Sequence, residues 1–485
     1  MSRILLFILF CCFLLVADAQ PARSTGAVLV KAAASRQYSD PSVIRRLFLG
    51  SNYRKVWETK VEAPVFRIRE LGLTIVELGG GMQTKSLKLK DAKGVEWVLR
   101  TIEKDVSPNL PPQLKNTLAQ RVVQDMISAA HPYAPLTIPP LAEAIGLLVA
   151  KPVLYFVPND PALAPYNDLF ANTLCYLEER APTMDNSDTK GTASILEEMV
   201  KRNNTKILQE EVLKARILDM LLADWDRHAD QWRWGAKDSA GLTFYYAIPR
   251  DRDQAYFSSN GILIKIARYV AAKHFVGFRP NLTKLTNLNF KAWKFDKTFI
   301  NELDREQWRS VIDGAVAALT DSVIATAIRR LPAPVYQQTG ATIEHKLKKR
   351  RDDLAEAGMR YYYFLSSSVR VNGSDGSELF AFRAVEDGVH LSVYNLERGE
   401  PRRIIYSRTF KDEQTDDITL TALGGNDRFS IAADVSSRIR VHIWGGKGAD
   451  TYEMKGKMRS TIHDSQSDGN QVDLNSYSKL HNSSK

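Results

Sequence analysis

The chain has 485 residues, 44% of them hydrophobic and 25% charged. That composition excludes a disordered or collagen-like polymer and suits about two to four globular domains. The net charge is +10, and of only three cysteines two, Cys11 and Cys12, lie in an apolar leader. Cys175 is left alone, which excludes a disulfide framework and a cysteine-based zinc site. The eight histidines are scattered, with no pair at metal-ligand spacing.

Residues 1–19 read as a secretory signal peptide. Arg3 precedes an apolar run from Ile4 to Val16, and Ala17-Asp18-Ala19 offers a small-x-small cleavage site before Gln20. The run is shorter than the roughly 20 residues a spanning helix needs. No later segment could span either, so no transmembrane helix is expected. The chain is expected to be exported, and so periplasmic, outer-membrane-associated or secreted.

Residues 20–64 are polar with helical tendency. Over 65–105, β-branched and apolar residues alternate, with glycine turns between, as in a three-strand meander. A helix is expected over 114–130, proline-rich turns over 132–140, and short strands over 151–157 and 171–178. A long helical stretch follows over 193–234, then a strand over Thr243–Ile248. Residues 260–332 and 345–368 are helical by spacing. From 369 to 464 the pattern is strands and Gly/Asp turns, and 465–485 reads as a frayed tail. The fold class is therefore α+β to about 368, followed by a small all-β domain.

Lys and Arg do not concentrate in one tract with interleaved aromatics. The densest run, His345 to Arg351, is followed by Asp352-Asp353 and reads as a helix face. Nucleic acid is disfavoured as a partner.

Gly79-Gly80-Gly81-Met82-Gln83-Thr84-Lys85-Ser86 nearly spells a Walker loop, but Thr84 stands where the last glycine belongs. Residues 86–90 alternate as a strand, whereas a Walker loop opens a helix. A glycine turn between antiparallel strands is either a phosphate-covering loop or a plain hairpin. The third strand carries Arg100 and Lys104 on one face. Arg100 is the first candidate for a phosphate-binding cation, with Lys104 or Lys85 next, and Asp125 on the following helix is its candidate acidic partner.

The stretch Asp224-Trp225-Asp226-Arg227-His228-Ala229-Asp230-Gln231 ends an apolar helix, and Arg250-Asp251-Arg252-Asp253 ends a strand. Carboxylates clustered this way need cations. They either bind metal or pair with Arg227, Arg250 and Arg252. His228 reads as a structural hydrogen-bonder of the loop.

The order of glycine hairpin, cationic strand, acidic helix, Asp-x-His loop and strand-plus-Asp resembles atypical protein-kinase-like folds of the CotH, HipA and secretory-pathway types. The resemblance covers about residues 65–330. It implies a bilobal kinase-like domain, with an N-lobe over 65–180 and a helical C-lobe over 181–368. It places Asp226 at the catalytic base and Asp251 or Asp253 at a metal. Gln231 stands where the family has a metal-binding Asn, with Asp230 as the substitute ligand. The stretches 166–170 and 174–179, including Glu178, are similar to the strand and hinge that hold adenine, and Gly79, Gly80, Gly81 and Lys85 would cover the phosphates. The implied activity is Mg²⁺- or Mn²⁺-dependent phosphoryl transfer from ATP to a protein or small-molecule acceptor. The alternative is a catalytically silent binding or assembly module.

Asn52 to Trp57, Gly79 to Ser86, Trp225 to Trp234 and Pro249 to Tyr256 also resemble segments of a group of secreted Gram-negative surface proteins. That likeness implies an outer-membrane barrel or surface partner. Finally, Gly445-Gly446-Lys447-Gly448-Ala449-Asp450 and Gly424-Gly425-Asn426-Asp427 resemble RTX-type turns. Asp427, Asp450, Gly446 and Gly448 would then hold Ca²⁺, as in an adhesin; plain β-turns are the other reading.

Overall fold

The computed structural model describes residues 28–482, except 40, 81, 82, 186, 271 and 466–468. Residues 1–19, expected to form a signal peptide, lie outside the described residues. The first layer is a five-stranded antiparallel sheet in the order Thr74–Gly80, Lys85–Lys90, Glu96–Thr101, Thr173–Glu179, Val153–Val157. Its alternation is clean in the second strand, where Leu87 and Leu89 are buried and the lysines point away. Those leucines meet Phe66, Leu99, Phe170 and Leu177 in one core. At the glycine hairpin a Cβ on Gly79 would sit 2.4 Å from Ser86 Oγ, so the strands approach too closely there for a larger residue.

The helical lobe surrounds Gln209–Leu222, which from Val212 onward is buried at every residue but Lys214. Helices Arg305–Ala318 and Ala341–Ser366 pack on it, and Asp321–Ile328 packs on the second of these. The stretch expected to be helical over 193–234 is interrupted. Thr192–Lys201 and Gln209–Leu222 are separated by the strand Thr205–Ile207, and a strand resumes at Trp232. The cause is the hairpin Trp232–Ser239/Leu242–Pro249, which recruits Thr205–Ile207 as a parallel neighbour. Its two-residue turn, Ala240-Gly241, has positive φ at both positions, as tight hairpins require. The proline-rich turns expected over 132–140 include a helix, Ile138–Ala144, whose prolines sit in its first turn where no amide is needed.

The all-β domain is a parallel solenoid. One sheet stacks Ser368–Asn372, Asp417–Thr421, Arg440–Trp444, Ser460–Asp464 and Ser478–Asn482 in parallel. The other stacks Glu378–Val385, Arg428–Ile431, Thr451–Met454 and Gln471–Leu474, with Gly388–Glu397 and Glu400–Phe410 added antiparallel. Phe380, Phe429 and Tyr452 form one interior stack at 4.9 and 5.2 Å. The expected frayed tail therefore contains two strands, because each pairs in register with the coil before it.

The calcium-type turns serve this stacking. A Cβ on Gly448 would lie 1.7 Å from Gly425 O, so only glycine lets the coils meet. Asp427 and Asp450 are buried and face backbone amides of the preceding coil. The amide of Glu378 donates to Asp427 Oδ1 (2.7 Å), that of Asp427 to Asp450 Oδ1 (2.8 Å), and that of Asp450 to Asn470 Oδ1 (2.8 Å). Among the described residues no group of three or more His, Cys, Asp or Glu is arranged around a metal position. The geometry is that of a side-chain ladder.

Burial, and then the charges on Glu378 and Asp450, push Asp427 up to about 9; burial also raises Glu378 to about 7. Both pKa values lie above those of the unfolded chain, so their contribution is complete below about pH 4, is lost progressively above it, and is gone once pH has passed about 7 for Glu378 and about 9 for Asp427. The solenoid's melting temperature should fall across that window in a pH series. Asp427→Asn, which keeps the Oδ1 acceptor and has no proton to lose, should flatten the fall.

Candidate functional site

A cleft of about 240 Å³ separates the antiparallel sheet from the helical lobe. Arg100, Tyr176 and Glu178 line it from the sheet and Lys104 from just beyond the third strand. Asp226, Asp251 and Asp253 face them, and Val123, Met126 and Ile127 supply apolar wall. Arg100 bridges the two sides, with Nη1 2.8 Å from Asp251 Oδ1 and Nη2 3.1 Å from Glu178 Oε1. Lys104 pairs with Asp253, and Lys291 Nζ lies 2.5 Å from Asp226 Oδ1.

The two proposed roles of the acidic–basic stretches are divided by the backbone. Asp251 adopts a left-handed φ of 55°, an uncommon conformation for a residue other than glycine. Asp251, Arg252 and Asp253 all line the cleft, and the buried Arg252 guanidinium has Nε 2.7 Å from Asp219. Asp219 also receives Arg216 Nη1 at 2.7 Å and Arg227 Nη2 at 3.2 Å. Arg216 Nε continues to Asp296 at 2.8 Å, and Arg227 Nη2 reaches Asp224 at 2.9 Å. A buried arginine–carboxylate network thus stands behind the pair of carboxylates in the cleft. Arg250 lies outside this network; its carbonyl accepts from Arg227.

Burial opposes the charge on Asp219, but Arg227, Arg252 and Arg216 pull its pKa down to about 2. Asp224, with fewer cations, is pushed by burial up to about 7. In the cleft, burial also opposes ionisation of Asp251, yet Arg100 and Lys104 hold it well below the usual carboxylate range. Burial and the adjacent Asp251 charge raise Asp253 to about 6. The negative charge of each carboxyl is felt by the other within the cleft. Two carboxylates facing one cleft are a fit donor set for a divalent cation; Mg²⁺ commonly uses one or two carboxylates and completes its shell with phosphate and water.

Several predicted residues lie elsewhere. Asp125 does not meet Arg100 or Lys104; it is buried against Arg54, with Nη1 2.9 Å from Oδ1, and against Arg45. Gln231 does not face the cleft, since its side chain accepts from the backbone amide of His228 and caps that turn. Asp230 is almost fully exposed, with His228 3.7 Å away. Lys85 is exposed and absent from the cleft lining, where Gln83 and Thr84 stand instead. Gly79 and Gly80 belong to the strand, and Gly81 lies outside the described residues. Asn167–Phe170 is a helical turn whose Phe170 enters the sheet core, so it does not extend the adenine-type strand.

Tyr176, within the stretch expected to hold adenine, lines the cleft, whereas sequence reasoning missed Lys291. Lys291 is 65 residues from Asp226, and no local pattern marks it. The Asn52–Trp57 segment proves to be a brace. Asn52 Nδ2 donates to Ser128 Oγ (2.9 Å), and Tyr53 OH to the carbonyl of Tyr256 (2.8 Å), at the end of the Asp251–Asp253 loop.

No family model matches the chain, and no curated protein matches it. Among solved structures it is similar to a Helicobacter pylori proinflammatory kinase, CtkA, at 12% identity and a TM-score of 0.32, covering 59% of this chain and 96% of that one. It is similar to the Rio2 kinase–ADP/Mg²⁺–phosphoaspartate complex from Chaetomium thermophilum at 13% identity and a TM-score of 0.24, covering 55% and 72%. It is also similar to amicoumacin kinase hAmiN in complex with AMP-PNP, Ca²⁺ and Ami, at 12% identity and a TM-score of 0.16, covering 59% and 90%. Likenesses this distant carry no argument about this chain. The chain is an α+β protein of two lobes around a charged cleft, followed by an all-β solenoid.

Proposed function

We propose that the cleft binds a nucleotide with a divalent cation and transfers its terminal phosphoryl group to a hydroxyl acceptor. The observation that supports this is the apposition of Arg100 and Lys104 to Asp251 and Asp253 across one cavity, with Asp226 in the same lining. The cation, held by Asp251 and Asp253, would neutralise phosphate charge. Arg100 and Lys104 would exchange carboxylate for phosphate oxygens and hold the donor in place. The acceptor oxygen forms its bond to phosphorus as the bond to the leaving diphosphate breaks, and Asp226 takes the hydroxyl proton. Positioning and electrostatics would account for most of the rate. We place this activity in an exported protein, on the leader over residues 1–19.

A silent binding module is the second reading. It is favoured by the turning-away of Gln231 and by the existing ion pairs of Arg100, Lys104 and Asp226. A thermal-shift titration with ATP and Mg²⁺ separates the two, because a ligand that binds only the folded state raises the melting temperature. The proposal expects a metal-dependent rise that Asp251→Ala removes. No rise at millimolar nucleotide would leave the silent module.

A further inference from the structure

Helix Val43–Leu49 buries none of its residues, although its sequence is VIRRLFL. It packs beside Ile262–Val270, sequence ILIKIARYV, in which Ile264 alone is buried. Val43 and Ile44 are 74% and 70% exposed, and Tyr269 and Val270 are 87% and 73% exposed; Leu47, Phe48 and Ile266 add to the same surface. A monomer rarely leaves so much apolar surface in one place without a use.

The charge around this patch has one sign. From residue 254 to residue 295 the chain contains seven Lys or Arg and no Asp or Glu, spread too thinly to stand out as a tract. Neither helix carries an acid. Arg45 is tied to Asp125, but Arg46, Lys265 and Lys273 have no carboxylate partner among the described residues. Arg268 holds Nε and Nη2 out of water with no acceptor. Cations flanking exposed Leu, Ile and Tyr on short helices match an anionic lipid surface, into which the apolar side chains sink while the lysines reach headgroup phosphates. A protein partner fits less well, because the cores of protein interfaces are depleted of lysine. No single described helix is long and apolar enough to cross a membrane.

We infer that helices Val43–Leu49 and Ile262–Val270 form a docking surface for a bilayer rich in anionic lipid. The second helix lies in the chain between Phe257 and Phe275, which both line the cleft, so docking would hold the cleft close to the membrane. The inference stands on exposure and charge, independently of the activity proposed above.

Vesicle sedimentation tests it on the full chain, with phosphatidylcholine alone and with one-third phosphatidylglycerol. Tight binding is expected to the anionic vesicles, at least tenfold weaker binding to the neutral ones, and weakening by salt. Lys265→Ser with Lys273→Ser should lose roughly fivefold per cation removed. Ile266→Asp with Tyr269→Ser should lose most of the remaining affinity. The leader is common to all forms and cancels in the comparison. All four side chains are exposed, so the variants should melt as the parent does, and the lysine pair gives an answer even if the apolar pair misfolds. Equal binding of both variants and the parent, or no preference for anionic lipid, would overturn the inference. So would concentration-dependent dimerisation abolished by Ile266→Asp in a chain that ignores vesicles, which would assign the patch to a second copy.

Discussion

Asp219→Ala is expected to unfold the helical lobe at room temperature. Asp219 is fully buried and shared by Arg216, Arg227 and Arg252. Removing it leaves three guanidiniums in the core with two carboxylates among them, Asp296 on Arg216 and Asp224 on Arg227, and Arg252 keeps no carboxylate among the described residues. Breaking a buried ion pair by deleting one partner typically costs about 3–5 kcal/mol, and here three pairs lose the same carboxylate. A domain of ordinary stability has only about 5–15 kcal/mol in all. A urea titration followed by circular dichroism should show no folded baseline, whereas Asp219→Asn, which retains an acceptor oxygen, should fold with a lowered midpoint. A normal melt for Asp219→Ala would mean that the network is dispensable.

Under the phosphoryl transfer proposed above, Asp226→Asn should have the second-largest effect, and on turnover alone. Asp226 is partly exposed, and its side chain has a single ion pair, to Lys291, so its loss leaves no buried charge unsatisfied. A general base contributes about 10²–10⁴-fold to rate. The variant should retain its melting temperature and its nucleotide-dependent rise while kcat falls by that factor. A variant that turns over as fast as the parent would remove Asp226 from the chemistry.

Much of the fold was legible because its signals are local. The alternation of Leu87 and Leu89 and the spacing in Ala341–Ser366 depend only on neighbours in sequence. That Arg100, Lys104, Asp226, Asp251 and Asp253 share one cleft was legible from the order of motifs, though no spacing carries it. The partner of Asp125 was not legible. Which arginine reaches it depends on the path of the segment carrying Arg45 and Arg54, more than 70 residues earlier. Gln231 misled for a related reason. Its position counted from Asp226 suits a metal ligand, but a 3₁₀ turn, Ala229–Gln231, points its amide back at His228. The solenoid was hidden because its coils shorten from one to the next, so the repeat had no constant period to detect.

Arg252 has a consequence beyond stability. Its guanidinium is rooted against Asp219 while its neighbours on either side line the cleft. The Asp251–Asp253 loop is therefore preorganised, and the entropy of fixing it is spent when the lobe folds and not when a ligand arrives. Such a loop has little freedom to rearrange by itself. Heat should leave it intact until the lobe melts, and a mutation that loosens the core should weaken ligand binding before it visibly unfolds the protein.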